Sequence, residues 1–300
     1  MRNRLEYILA WGLFRLLGIL PRALARGVGS AIGRGALLLT PRLRRVGRHN
    51  LAVAFPEKPV DERERLLRLL SRNLGWLLAE FCQMPRYTPE STQAFLRYDG
   101  LEHYLAARGA GRGVLILTAH LGAWELSSFY HSLMGHPMSI VIRRLDNPLI
   151  DGLVNRIRCL HGNQVLHKDD FARGLLASMR RGETVGILMD TNMTPPQGVF
   201  VDFFGLAACT GSGLARVAMK TGAAVLPGFL LWDEANRRYV LRFGAQIPLA
   251  ATGDVEADVL ANTAAFTKEI EGYVRQYPDQ WLWVHRRWKT RPPGEPPVYT

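Results

Sequence analysis

A chain of 300 residues with 48% hydrophobic content can bury a sizeable core, which excludes a disordered or low-complexity protein. Its 38 Lys and Arg against 26 Asp and Glu leave a formal net charge of +12, so anionic partners are expected: nucleic acid, an acidic membrane leaflet or a phosphorylated substrate. Cys82, Cys159 and Cys209 are odd in number, widely spaced and without a CxxC pair, which excludes a disulfide framework and a zinc knuckle and leaves buried, inert thiols in a reducing compartment.

The first predicted element is YILAWGLFRLLGIL, Tyr7 to Leu20, apolar except for Arg15. After Pro21 a second apolar run extends from Val28 to Leu39. Each is short for a span that needs about 20 apolar residues. Arg2, Arg4, Arg15, Arg22 and Arg26 flank or interrupt the first, as expected of a helix that lies on or dips into an anionic leaflet. Residues 1–40 are therefore read as a retained membrane anchor, with a single full crossing and an ordinary buried helical pair as the alternatives.

Residues 41–98 read as a helical region. Leu66, Leu69, Leu70, Leu74, Leu77 and Leu78 recur at helical spacing opposite charged positions, and MPRYTPES then breaks the period, with a boundary between Pro85 and Pro89. From residue 99 to 300, short β-like runs (GVLILTA, MSIVIR, NQVL, ETVGILMD, AAVLPGFLLW, RRYVLRFG) alternate with helical ones and end in a helix from about Asp254 to Tyr277. This alternation predicts an α/β fold with a mainly parallel central sheet flanked by helices; the stretch between Asp190 and Ser212 reads as a long loop.

In such sheets reactive groups gather where strands end. His120 follows the run VLILT, and Glu125 falls in the first turn of the next helix, with Gly122 between them to allow a tight bend. A carboxylate accepting from one ring nitrogen fixes the tautomer and raises the basicity of the other, which suits a general base that deprotonates a hydroxyl. The bland alternative is a structural histidine capped by its neighbour. One His and one acid fall short of the three protein ligands of a catalytic zinc, and no His pair shows HExxH spacing, so no metal is expected.

Arg143 and Asn147 follow the strand MSIVI; a strand-end arginine suits an anionic substrate, and a solvated pair is the competing reading. Asp190 ends the run GILMD and could receive a proton, orient a substrate or cap the loop. CTGSGLAR lacks the GxSxG frame of a serine nucleophile, so Thr210 or Ser212 reads as a helix cap. Trp281, Trp283 and Trp288 beside His285, Arg286, Arg287 and Lys289 read either as an interface-facing surface or as a packed C-terminal segment with a basic rim.

Taken in order, HLGAWE, RRLDNPLID, LMDTNMTPPQGVFVDFFG, TGSGLARVAMKTGAAVLPGF and PDQWLWVHRRWKTRP resemble the late (lauroyl or myristoyl) acyltransferases of lipid A biosynthesis, over essentially the whole chain. The resemblance implies transfer of a fatty acyl group from acyl carrier protein, or coenzyme A, to a hydroxyl of a phosphorylated glycolipid at the cytoplasmic face of the inner membrane. It implies no cofactor and no covalent enzyme intermediate. His120 would be the base and Glu125 its orienting partner, with Arg143 and Asp190 also at the active site. Asn147, Gly198, Phe200, Phe203, Phe204 and Arg216 would meet substrate. Anionic membrane lipids are expected partners and nucleic acid is not, since no recognition motif accompanies the arginines. Lysophospholipid or ornithine-lipid acylation, and lipid hydrolysis by the same dyad, are the alternative functions.

Overall fold

The computed structural model describes residues 1–167 and 171–299. Two helices open the chain, α1 (Arg2–Ile19) and α2 (Arg22–Leu39), separated where Pro21 withdraws a backbone N–H. No described helix is long and apolar enough to cross a membrane. Both helices nevertheless leave large apolar side chains in solvent, among them Leu5, Ile8, Leu9 and Trp11 on α1 and Leu24 and Leu39 on α2. Next come α3 (Pro41–Ala54), α4 (Val60–Gln83) and the short α5 (Pro89–Gln93).

The remainder builds one seven-stranded sheet. Its strands are β1 (Leu96–Asp99), β2 (Val114–Thr118), β3 (Ser139–Ile142), β4 (Gln164–His167), β5 (Thr184–Leu188), β8 (Ala224–Asp233) and β9 (Arg238–Phe243), and their spatial order is β1-β9-β8-β2-β5-β3-β4. All neighbouring pairs are parallel except β8 with β9, which form a hairpin. The expected α/β architecture is therefore present. Crossover helices cover the two faces: α6 (Leu101–Gly109), α7 (Trp124–Leu133) and α8 (Pro148–Arg158) on one, α9 (Phe171–Arg180), α10 (Gly213–Thr221) and α11 (Val255–Gln276) on the other.

Side chains alternate across each strand, so the sheet separates two cores. Ile116, Leu226 and Phe243 join Leu126 and Phe129 of α7 on one face, whereas Leu115, Leu117, Val185 and Phe229 join Phe266 of α11 on the other. Here the sequence reading is corrected in one place. The stretch after Asp190 is not a plain loop but a second, two-stranded sheet, β6 (Gly198–Phe203) with β7 (Leu206–Gly211). Phe204 and Gly205 form its two-residue turn, both at positive φ (59° and 77°), the twist that favours a tight hairpin.

The C-terminal tryptophans resolve to the packed alternative. Trp281, Trp283 and Trp288 are at most 1% exposed, and they contact Phe203, Phe204 and Phe55. Arg287, also buried, staples this segment to the hairpin by donating to the Thr191 and Cys209 carbonyls and the Thr210 hydroxyl. Burial pushes its guanidinium down to about 10.

Small residues let α2 lie directly on α4. A Cβ on Gly29 would stand 2.2 Å from the Gly75 carbonyl oxygen, and one on Gly33 would stand 2.1 Å from that of Ser71. Close backbone approach is what glycine permits here. Beside this contact the fully buried Glu80 of α4 accepts from the Arg22 guanidinium at 2.7 and 3.1 Å and from the Tyr87 hydroxyl. Arg26 stacks between Trp76 and Trp232, 3.6 and 4.2 Å from their ring centroids. The N-terminal helices are thus locked to the sheet-bearing body by one carboxylate and two arginines. Removing the carboxylate strands buried cations, so Glu80→Ala is expected to cost about 3–5 kcal/mol in urea unfolding. A loss below about 1 kcal/mol, the range of an exposed pair, would show that the lock carries no weight.

Candidate active site

β2 and β5 are adjacent and parallel, in register from Val114 with Thr184 to Thr118 with Leu188. Their chain segments leave the sheet side by side, and the Met189 N–H still donates to the Thr118 carbonyl at 3.0 Å. His120 and Asp190, each two residues past its strand, therefore meet. Asp190 Oδ1 lies 2.9 Å from His120 Nδ1, and Asp190 Oδ2 accepts from the His120 backbone N–H at 2.9 Å and from the Trp281 indole at 2.7 Å. With Nδ1 donating to the carboxylate, Nε2 is the basic nitrogen.

The turn that carries His120 is over-determined. Gly122 has φ +66°, and a Cβ there would lie 2.1 Å from the Leu230 carbonyl oxygen. Its N–H donates to the Gln280 carbonyl, and the Leu282 N–H donates to that of His120, so the C-terminal segment clamps both sides of the turn. Ala123 then donates to Leu230 and starts α7. Trp124 lays its ring against the imidazole with centroids 5.2 Å apart.

Electrostatics follow from this geometry. Burial disfavours the charged imidazole, but the Asp190 charge and hydrogen bond, aided by the Glu125 charge, outweigh it and raise His120 above its ordinary value. Burial likewise works against the Asp190 carboxylate, yet His120 and the Trp281 indole hold it below the usual range. His285, whose Nε2 accepts from the Asn192 N–H at 3.1 Å, stands close enough to feel both charges and is lowered, chiefly by burial.

The expected hydrogen bond between His120 and Glu125 is not formed. Glu125 instead receives a two-pronged contact from Arg158 at the end of α8, at 2.5 and 2.8 Å. The helix direction explains this: Glu125, in the first turn of α7, reaches toward α8, while the carboxylate that grips His120 comes from the neighbouring strand. Glu125 and Arg158 flank an open groove between α7 and the sheet, whose walls include Thr118, Trp124, Ile140 and Leu188. Most of that lining is apolar. It opens at the strand ends, where ligands of open α/β sheets bind.

The other expected site residues lie elsewhere. The Arg143 side chain is 81% exposed and pairs with the equally open Asp146 at 3.3 Å, the arrangement of a solvated pair. Asn147 caps α8 through the Leu149 and Ile150 N–H groups and donates to the Asn3 carbonyl and Glu6 of α1, so it ties the first helix to α8. Gly198, Phe200, Phe203 and Phe204 belong to the β6–β7 hairpin, and Phe203 and Phe204 pack into the core on the face opposite the groove. Gly198 is a packing position, since a Cβ there would stand 2.6 Å from Cys209 Sγ. Arg216 makes a two-pronged surface contact with Glu256 at 2.7 and 2.8 Å. Ser212 makes no side-chain cap; its hydroxyl donates to the Gln197 carbonyl. No group of three or more His, Cys, Asp or Glu able to hold a metal occurs among the described residues.

Two residues of this site escape the sequence reading. Trp281 was visible as part of an aromatic cluster, but nothing local shows that its indole serves Asp190. Arg158 lacks even that signal, because its partner lies 33 positions away.

Comparison with known proteins bears on what this geometry serves. Residues 2–290 match the family model described as bacterial lipid A biosynthesis acyltransferase. Among curated proteins, the lipid A biosynthesis lauroyltransferase of Escherichia coli (strain K12) is 29% identical over 300 residues, covering 98% of this chain and 95% of that protein. The palmitoleoyltransferase of the same organism is 28% identical with the same coverages, and its myristoyltransferase is 26% identical over 88% of this chain and 80% of its own length. The chain belongs to the bacterial lipid A biosynthesis acyltransferase family and is an acyltransferase enzyme.

Proposed function

We propose that the protein moves a fatty acyl chain from the thioester of acyl carrier protein, or of coenzyme A, to a hydroxyl of a lipid A precursor, with His120 as general base and Asp190 as the group that orients it. The observation that carries this reading is the His120–Asp190 pair beside an apolar groove at the strand ends. The acyl chain lies in the groove and the acceptor approaches from the rim. As the acceptor oxygen attacks the thioester carbonyl, its proton passes to His120 Nε2. Collapse of the tetrahedral intermediate breaks the carbon–sulfur bond, and the departing thiolate takes the proton back. No enzyme-bound acyl group is required.

Glu125 serves this chemistry at one remove. Its charge adds to that of Asp190 in favouring the protonated imidazole, while Arg158 holds it in place. Arg143, exposed just past β3 and paired only with the equally open Asp146, would have to leave that surface pair to meet a phosphate of the acceptor.

The exposed apolar side chains of α1 and α2, with Arg2, Arg4 and Arg15 beside them, support a chain that lies on the cytoplasmic leaflet of the inner membrane. Asn147 joins α1 to the start of α8, whose last residue, Arg158, lines the groove, so the surface helix is tied to an element that bounds it. A net charge of +12 favours anionic lipids, the phosphorylated acceptor and the acidic carrier protein alike.

His120→Ala is expected to lower kcat/KM by roughly 10²–10⁴-fold, read by mass spectrometry of the acylated acceptor, in protein that circular dichroism shows to be folded despite a lower melting temperature from the donor lost by buried Asp190. Near-normal transfer would remove the base assignment, and free fatty acid as the main wild-type product would indicate hydrolysis instead. A base must be unprotonated, so kcat/KM should climb with pH through the raised His120 pKa and level off above it. Asp190→Asn lowers that pKa, so the climb should move to lower pH while the plateau falls; an unmoved profile contradicts the coupling. Replacing Leu5, Leu9 and Leu16 together with Glu should abolish sedimentation with phosphatidylglycerol-rich vesicles, and full retention on them would exclude α1 as the contact.

A further inference from the structure

The groove beside the catalytic pair has an inner end whose construction differs from its walls. From Trp124 to His131, α7 advances about 10 Å away from the strand ends. Deeper than the strand ends, His131 near the end of α7 and Met138 just before β3 line the groove beside Gly186, and Phe243, whose ring meets His131 at 5.1 Å, lines it too.

Two of these residues are rigid. The His131 ring packs edge-on against Tyr104 at 4.4 Å and at a tilt against Phe243 at 5.1 Å, and its Nδ1 is 2.9 Å from the Tyr98 hydroxyl. Phe243 is in turn stacked on Tyr104 at 5.3 Å. Burial drives His131 down to about 3, so this wall is uncharged at neutral pH and offers no charge to pair with a carboxylate.

Met138 is different. Its backbone is pinned, since its N–H donates to Asn163 Oδ1 at 3.0 Å and its carbonyl accepts from the Gln164 N–H at 3.0 Å. Its unbranched side chain keeps the rotamer freedom of a thioether. That side chain is 8% exposed and reaches over the bare backbone of Gly186, where a Cβ would come within 2.6 Å of Met138 Cε. Any side chain at position 186 would displace the methyl. Glycine at 186 and methionine at 138 thus form a matched pair: one supplies the seat, the other the plug.

We propose that Met138, seated on Gly186, is the chain-length stop of the groove, the surface that the methyl end of a straight, saturated acyl chain meets. This deepens the acyl-transfer reading and rests on it. An acyl chain too long by a methylene must displace the plug or leave a carbon in water, and hydrophobic pockets discriminate a methylene by about tenfold or more. Shortening the plug deepens the groove, whereas filling the seat pushes the plug into it.

The test uses the full chain, a lipid A precursor and saturated straight-chain acyl carrier protein thioesters graded in length. Met138→Ala should raise kcat/KM for donors longer than the wild-type optimum by about tenfold relative to that optimum. Gly186→Ala should move the optimum to shorter chains. In parallel, binding of non-hydrolysable thioether analogues of the same lengths is followed by calorimetry, which needs no turnover and also shows whether each variant is folded. If Met138→Ala shifts the length preference in binding while wild-type protein transfers nothing, the stop stands and the transferase reading falls. If transfer proceeds but wild type and Met138→Ala share one length profile, the stop is overturned and the transferase reading survives. A Gly186→Ala variant that fails to fold leaves the Met138→Ala comparison to decide.

Discussion

A single buried carboxylate holds this protein's candidate active site together. Asp190 is 3% exposed, and a charge so placed persists only when donors replace its lost water. Three do: the His120 backbone N–H, the His120 ring and the Trp281 indole. Each belongs to a different structural obligation. The backbone N–H sets the turn after β2, the ring sets the tautomer, and the indole commits the C-terminal segment. The interaction that would poise the base is the same one that closes the fold over it.

Much of the remaining architecture keeps that contact in place. The parallel register of β2 and β5 delivers the two strand ends together, and Gly122 admits the sharp turn that only a residue without Cβ could make against Leu230. The buried tryptophans hold the tail, and Arg287 fastens it to the β6–β7 hairpin. Glu80 with Arg22 and Arg26 locks the first two helices down, and Asn147 links α1 to the start of α8, whose last residue Arg158 lines the groove. The first two helices, the groove and the His120–Asp190 pair are thereby parts of one connected body.

The division between what was and was not legible in the sequence follows contact range. Strand and helix periodicity is local, so the alternation from residue 99 onward and the break at Pro21 could be read directly. The position of His120 at a strand end followed from the same pattern. Its partner did not: Glu125 is near in sequence and Asp190 is near in space, and choosing between them requires knowing that β5 lies beside β2. The β6–β7 hairpin was hidden because its turn uses Phe204 at positive φ rather than the Asn-Gly or Asp-Gly that signals such turns, although GVFVDF does alternate. The aromatic C-terminus shows the limit of composition, since the same tryptophans and arginines fit a surface or a core until a buried acid is found for an indole to meet.

The most direct test of the central claim is nitrogen-15 NMR of the His120 ring in the folded enzyme above its pKa. The account predicts a proton on Nδ1, hydrogen-bonded and shifted downfield, with a lone pair on Nε2, and loss of that downfield signal in Asp190→Asn. A neutral ring protonated on Nε2, or an Nδ1 signal indifferent to Asp190, would contradict it.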